Sequence, residues 1–245
     1  MLSKTINILH EIEKLSSLSA GDVLKWAAQN YNEKLTLSSA LGLECQVLTD
    51  MIHKKALNIP IFTLDTGRLF NETLNLLSQT EKHYKIKLKV YFPNNSDVER
   101  MVSNSGINLF YESIELRKEC CSVRKLEPLK RALSGIECWI TGLRREQSET
   151  RDSMKIIELD KERGLLKVNP LIDWTESQII EYIKQNKVPY NPLHEQGYPS
   201  IGCCCCTRKV KQGKHSRSGR WWWEKAEHRE CGLHIKNGKI VREIK

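Results

Sequence analysis

The chain has 245 residues, 40% of them hydrophobic, with 39 Lys and Arg against 30 Asp and Glu, a formal charge of +9, and nine cysteines. These figures exclude disordered and fibrous classes and suit a compact, largely single-domain protein, since one core reaches roughly 250 residues before it divides. No apolar run approaches the ~20 residues of a bilayer crossing, and residues 1–15, with Glu11 and Glu13, read as an amphipathic helix rather than a signal or transit peptide. A cytoplasmic location with no membrane partner is therefore expected. In that reducing compartment an odd number of cysteines reads as metal ligands or reactive thiols sooner than as disulfides.

In chain order, helical patterns near residues 4–15 and 20–31 precede a β-type run at 35–38. A helix over 45–53, a run at 59–64, a helix over 69–84, a run at 89–92, a helix over 116–133 and a run at 138–141 follow. Short β-like runs at 155–159 and 165–168 and a helix over 175–186 complete the body. The alternation predicts an α/β fold, a parallel sheet covered by helices, in which ligands bind beyond the carboxyl ends of the strands.

Those strand ends are polar and contain glycine. The first leads into Ser38-Ser39-Ala40-Leu41-Gly42, where hydroxyls and unpaired amides at a helix start suit a phosphate, although small polar residues are ordinary after any strand. The second leads into Asp65-Thr66-Gly67-Arg68. Gly67 permits close backbone approach, Arg68 offers a planar donor fork to phosphate, and Asp65 is placed to accept from a ribose or base; the plainer reading is a helix cap beside a surface arginine. A third loop carries Arg144, Arg145 and Arg151 with Glu146 and Glu149, an arginine excess that suits a polyanion or else a solvated loop. All three ends are expected to face one anion.

Residues 211–220 (KQGKHSRSGR) hold two glycines and no large apolar side chain, so they read as a hinge. The predicted division is a body over 1–210 and a mobile arm over 211–245. From Arg208 to Lys245 the chain carries twelve Lys and Arg against four acids, which implies an anionic partner: nucleic acid, a phosphorylated small molecule or an acidic protein. Trp221, Trp222 and Trp223 cannot share one helix face, so at least one is expected to be exposed, covering the closed site, docking a partner or packing the arm on the body.

The cysteines are the sharpest feature. Cys120-Cys121 and the run Cys203-Cys204-Cys205-Cys206 do not suit zinc, which prefers two spaced pairs around one ion. A four-iron cubane tolerates a vicinal pair because each thiolate binds a different iron, so Cys120, Cys121, Cys203 and Cys206 fit a [4Fe-4S] cluster better than zinc or free thiols. Cys204 and Cys205 either compete as ligands or pack. Lys125 falls beside the cluster if the chain stays helical there, with Pro128 a candidate stop. Cys231, near Arg229 and His234 in the cationic arm, is expected to hold more thiolate than an ordinary thiol and to be a nucleophile, the bland alternative being an inert terminal cysteine. Cys45 and Cys138 read as small core residues, and His194 as part of a surface loop.

Six motifs carry a resemblance: LDTGR at 64–68, CCSVRKLEPL at 120–129, TGLRREQS at 141–148, GYPSIGCCCCTR at 197–208, GRWWWE at 219–224 and ECGLH at 230–234. Together they resemble the assimilatory adenylyl-sulfate (APS) reductases, relatives of the phosphoadenylyl-sulfate (PAPS) reductases and of the ATP pyrophosphatases. The resemblance implies a Rossmann-type nucleotide-binding sheet, the cluster on Cys120, Cys121, Cys203 and Cys206, and Cys231 as nucleophile with His234 in its motif. It implies reduction of APS or PAPS to sulfite and AMP through an S-sulfocysteine, released by thioredoxin or a glutaredoxin-like donor, in sulfate assimilation toward cysteine. Arg217 and Arg220 would then neutralise sulfate and phosphate oxygens, with Arg151 and Lys125 acting from the body. Cys204 and Cys205 stand where relatives usually carry other residues, and Cys45 where an acid often follows Glu44. A thiouridine-forming tRNA sulfurtransferase and a metal-stabilised nucleic-acid-binding module are the competing readings; the ECGLH motif argues against the first, and no nucleic-acid partner is expected.

Overall fold

A computed structural model describes residues 10–147 and 151–225. Cys231 and His234 lie outside the described residues.

Helical residues 10–16 lead to α1 (Ala20–Tyr31), which starts where the Ser19 side chain accepts from the Asp22 amide and buries Val23, Leu24 and Ala27 at helical spacing. Then come β1 (Leu35–Ser38), α2 (Leu43–Lys54), β2 (Ile61–Leu64), α3 (Asn71–Tyr84), β3 (Lys89–Tyr91) and α4 (Asn95–Ser105). Next are α5 (Ile114–Cys121), a π-helical turn (Ser122–Leu126), α6 (Glu127–Ala132) and β4 (Cys138–Ile140). The hairpin strands β5 (Ile157–Asp160) and β6 (Leu165–Val168) and helix α7 (Glu176–Asn186) follow.

The strands form one six-stranded sheet in the order β3-β2-β1-β4-β6-β5. β1 runs parallel to β2 and β4, with Leu37 opposite both Ile61 and Ile140, and β4 runs parallel to β6. Every residue of β4 and β6 is buried, as are Leu35, Thr36 and Leu37, as expected of a sheet covered on both faces, and the buried Lys167 of β6 is paired with Glu158 at 2.9 Å. The α/β, mostly parallel sheet expected from the sequence is present. β5 departs from it by pairing antiparallel with β6, across a turn in which Gly164 takes φ +68°.

Two helical expectations change. The single helix expected over 116–133 is three segments, and Pro128 lies in the first turn of α6, not at a stop. The π-helical turn ahead of it absorbs a ring that lacks an amide hydrogen and would clash in a regular helix. α4 was not expected, because its eleven residues bury only Met101 and give the sequence almost no apolar period. Among the described residues no helix is long and apolar enough to cross a membrane.

The chain forms two compact units. The first comprises Met1–Phe62, Leu77–Lys89 and Gly135–Tyr190; the second comprises Thr63–Leu76, Val90–Ser134 and Asn191–Lys245. In the first, the fully buried Gln46 of α2 donates through Nε2 to Thr80 Oγ1 and the Pro189 carbonyl, both at 2.8 Å. Buried Asp50 accepts from Tyr84 (3.1 Å) and Tyr182 (2.7 Å), and burial together with that carboxylate raises both phenols. α7 begins with a reciprocal cap in which Thr175 accepts from the Gln178 amide and Gln178 accepts from the Thr175 amide. Thr175→Ala is expected to cost about 1 kcal/mol in urea unfolding, with the denaturant slope unchanged; an unaltered midpoint would show that the cap carries no stability.

Candidate active site

In the second unit α5 and the π-helical turn place Arg117, Cys120, Cys121 and Arg124 three or four residues apart, so they share one helical side, and all four are buried. Cys203 meets them from the loop before a short 3-10 turn, Cys204–Cys206. The Cys206 amide donates to the Cys203 carbonyl at 3.0 Å and Thr207 Oγ1 to the same carbonyl at 2.9 Å, which folds the Cys-x-x-Cys segment on itself. The Cys204 amide donates to the Arg68 carbonyl at 2.8 Å, and Thr66 Oγ1 lies 3.2 Å from Cys203 Sγ. The Asp65–Arg68 turn is therefore fastened to the cysteine run. Gly67, at φ +69°, supplies a left-handed step that other residues adopt at a cost, and its amide donates to Asp65 Oδ1 at 2.8 Å.

Cys120, Cys121, Cys203, Cys205 and Cys206 line one recess with four cations, Arg68, Arg117, Arg124 and Lys125. Burial pushes the Cys120 thiol up to about 11, and the neighbouring thiols add to the rise. Cys205 and Cys206 share a hydrogen bond that lowers Cys205 and raises Cys206, and Arg68 draws Cys205 down further. Arg124 gives Nη1 to the Thr66 carbonyl at 2.7 Å, while its Nε is buried without a hydrogen-bond partner. Trp221, 1% exposed, closes the recess; the guanidinium carbons of Arg117 and Arg220 lie 5.0 and 4.8 Å from its ring centre, and its amide donates to the Cys206 carbonyl at 3.1 Å. Arg117 forms a two-pronged pair with Glu224, both contacts 2.9 Å, with neither side chain more than 4% exposed.

Among the described residues no group of three or more His, Cys, Asp or Glu side chains is drawn together to hold a single metal ion. The thiols instead border a recess, an arrangement that suits a polynuclear group with one thiolate per metal. Four cations around them suit an anionic thiolate cluster, and a bound metal would reverse the upward push that burial exerts on Cys120. The residues fit a four-iron cluster.

The first unit holds the other strand ends. Ser38 Oγ accepts from Trp139 Nε1 at 2.7 Å, and Ser39 Oγ accepts from the Leu41 amide at 3.2 Å. Gly42 caps α2 with no side-chain acceptor, which leaves the first-turn amides without a capping oxygen. A Cβ on Gly142, just after β4, would sit 3.0 Å from Glu44 Cβ and 3.1 Å from Cys45 Sγ, so that position needs glycine for close approach to α2. Cys45 is a core thiol, pushed by burial up to about 11, and so is Cys138, pushed up to about 12.

Residues 34–209 match the phosphoadenosine phosphosulfate reductase domain family. The adenosine 5′-phosphosulfate reductase of Sinorhizobium fredii is 49% identical over 223 residues, 91% of this chain and 88% of that protein. The chain belongs to this reductase family. The enzyme of the same name from Allochromatium vinosum is 50% identical, covering 82% of this chain and 79% of its own. Among solved structures, the phosphate complex of a phosphoadenylyl-sulfate reductase from Candida auris superposes with a TM-score of 0.72 at 31% identity, covering 83% of this chain and 96% of that one. An FMN adenylyltransferase from Candida glabrata, TM-score 0.53 at 17% identity, shares the fold alone, over 83% of this chain and 71% of its own.

Within this reductase-family chain the anion-binding residues expected from the sequence fall into two groups. Thr66, Gly67, Arg68, Lys125 and Arg220 stand with the thiols in the second unit, and Ser38, Ser39, Gly42, Arg144 and Arg151 belong to the first. Arg144 is buried and engaged, with Nε on Glu44 Oε1 at 2.8 Å and Nη1 on Glu146 Oε2 at 2.7 Å. Arg151 is buried too, with Nη1 on Gln147 Oε1. Arg217 lies in the 3-10 turn Ser216–Gly219. His194, expected on a surface loop, sits half-buried in the 3-10 turn Pro192–His194.

Within the arm expected over 211–245, Trp221 and Glu224 are buried. Thr207 bridges Arg220, and Trp222 and Trp223 are half-buried, Trp223 edge-on to Tyr111 at 4.5 Å. This is the packing of the arm on the body that the sequence offered as one reading of the three tryptophans. Arg117, Arg124 and Glu224 were missed as site residues. The spacing of Arg117 and Arg124 on either side of Cys120-Cys121 was the signal that places two of them.

Proposed function

We propose that this chain reduces adenylyl sulfate to sulfite and AMP, or its 3′-phosphorylated counterpart to sulfite and adenosine 3′,5′-bisphosphate, in the cytoplasm, within assimilatory sulfate reduction. The observation that carries the reading is the 49–50% identity, over four-fifths or more of this chain, to proteins named for that substrate. The cationic, thiol-lined recess supports it independently.

In this reading Cys231 thiolate, made more acidic by Arg229 and His234, attacks the sulfuryl sulfur in line. The bond from that sulfur to the AMP phosphate oxygen breaks, AMP leaves with the electron pair, and an S-sulfocysteine remains. A thiol of thioredoxin or a glutaredoxin-like donor then attacks Cys231 Sγ and expels sulfite, and the donor's second thiol resolves the mixed disulfide. The dithiol thus supplies the two electrons that take sulfur(VI) to sulfur(IV).

Ser38, Ser39, Gly42 and the first-turn amides of α2 receive the phosphate, and Asp65 to Arg68, with Arg144, Arg151, Arg217 and Arg220, neutralise or orient the nucleotide and its sulfate. Cys120, Cys121, Cys203 and Cys206 would hold a [4Fe-4S] cluster, which would supply a fixed charge beside Arg68, Arg117, Arg124 and Lys125. Residues 211–245 act as the arm, rooted by Trp221 and Glu224, so the swing that brings Cys231 to the sulfate begins beyond that root.

The test uses anaerobically purified protein and radiosulfur-labelled adenylyl sulfate without a thiol donor. Label is expected on the peptide containing Cys231 in stoichiometric yield, and none on Cys231→Ser. Label retained by that variant would remove Cys231 from the mechanism.

A further inference from the structure

The run of four cysteines holds two more thiols than four-iron ligation needs, and the structure treats them differently. Cys204 is exposed and is absent from the recess lining, its amide turned to the Arg68 carbonyl. Cys205 lines the recess beside Cys120, Cys121, Cys203 and Cys206. Its backbone is fixed, because Tyr111 donates its hydroxyl to the Cys205 carbonyl at 2.8 Å, and its side chain packs on the buried cluster of Met101, Leu109, Phe110 and Trp221.

The decisive distance is between neighbours. Cys205 Sγ lies 3.8 Å from Cys206 Sγ. Two sulfurs on one tetrahedral metal with bonds of about 2.3 Å stand about 3.8 Å apart, so this pair has the bite of a single metal corner. Thiolates that bind different irons of a cubane must stand farther apart than that. Cys205 and Cys206 therefore cannot serve two corners from these positions, but either can serve the same one.

We infer that Cys205 is an alternative ligand for the cluster corner assigned to Cys206, the two thiolates exchanging on one iron with no change in oxidation state. The proton released by the incoming thiol is taken up by the outgoing thiolate, so charge and atoms balance. This rests on the cluster assignment above and gives a role to the fifth thiol that lines the recess. Cys203, whose Sγ faces Thr66, has no such neighbour in the recess: the adjacent Cys204 points elsewhere.

The experiment measures iron, acid-labile sulfide and visible circular dichroism of anaerobically purified full-length chains. Wild type is expected to carry about four iron and four sulfide; wild type without them would overturn the cluster assignment itself. Cys206→Ser is expected to keep most of that iron with a shifted dichroism spectrum, Cys204→Ser/Cys206→Ser to match it, and Cys205→Ser/Cys206→Ser to lose the cluster. A brown wild type beside a Cys206→Ser protein as iron-free as the double variant at 205 and 206 would overturn the inference alone. A measurement on the wild-type holoprotein guards against variants that do not fold. After iodoacetamide treatment, molecules that retain iron should carry label on Cys205 or on Cys206, never both; Cys205 labelled as completely as Cys204, with Cys206 always protected, would also overturn it.

Discussion

Cys203→Ser is expected to yield a folded, colourless protein that has lost its iron and the broad absorbance near ~400 nm of a four-iron thiolate cluster. Cys203 Sγ is buried, is met by Thr66 Oγ1 at 3.2 Å, and stands on a backbone whose carbonyl takes both the Cys206 amide and the Thr207 hydroxyl. A serine oxygen there is a harder, poorer ligand for iron and leaves one corner open to water. Second-sphere changes alone cost metal sites roughly 10–100-fold, so loss of a ligand should lower turnover by more than ~100-fold. Cys138→Ser and Cys45→Ser are the controls: both thiols are buried in the first unit and should leave the iron content unchanged. A Cys203→Ser protein that stays brown, with full sulfide, would show that the cluster is held elsewhere.

How much of this the sequence revealed depended on whether a residue's partner was near it in the chain. β1 and β6 occupy the spans expected from their short β-type runs, whose Leu and Val side chains are buried. The segment Asn95–Ser105 gave no such report: one buried methionine per eleven residues is too sparse a period. The π-helical turn was hidden because its cause, a proline at the start of the next segment, reads equally well as a stop.

The site divides along the same line. The thiols of Cys120-Cys121 and the Cys-x-x-Cys segment were legible because ligand spacing is local. The ion pair that holds Arg144 was not legible, because its partner, Glu44, is 100 residues away. Local composition assigns a guanidinium a surrounding solvent, and only the fold reveals that a carboxylate occupies its fork. Packing of the tryptophans on the body was among the readings of Trp221 to Trp223, but its partners, Arg117 and Arg220 beside the Trp221 ring, were not legible because Arg117 is far away in the chain.

The second large effect falls on that packing. Arg117→Ala is expected to destabilise the chain by about 3–5 kcal/mol in urea unfolding, because it leaves the Glu224 carboxylate buried with neither of its two guanidinium contacts. Native stabilities are only ~5–15 kcal/mol, so the variant should be marginal at physiological temperature. Glu224→Ala should cost a similar amount from the other side, since Arg117 is then a buried cation against Trp221. The double variant should recover part of the loss, for removing both charges leaves no ion to desolvate, and that non-additivity is the signature of a direct buried pair. Because Arg117 lies one turn before Cys120 and Cys121 and is paired with the buried Glu224, the single variants should also shed iron faster under a chelator than wild type does. A strictly additive double variant, with iron release unchanged in all three, would show that the pair neither holds the root of the arm nor supports the thiols.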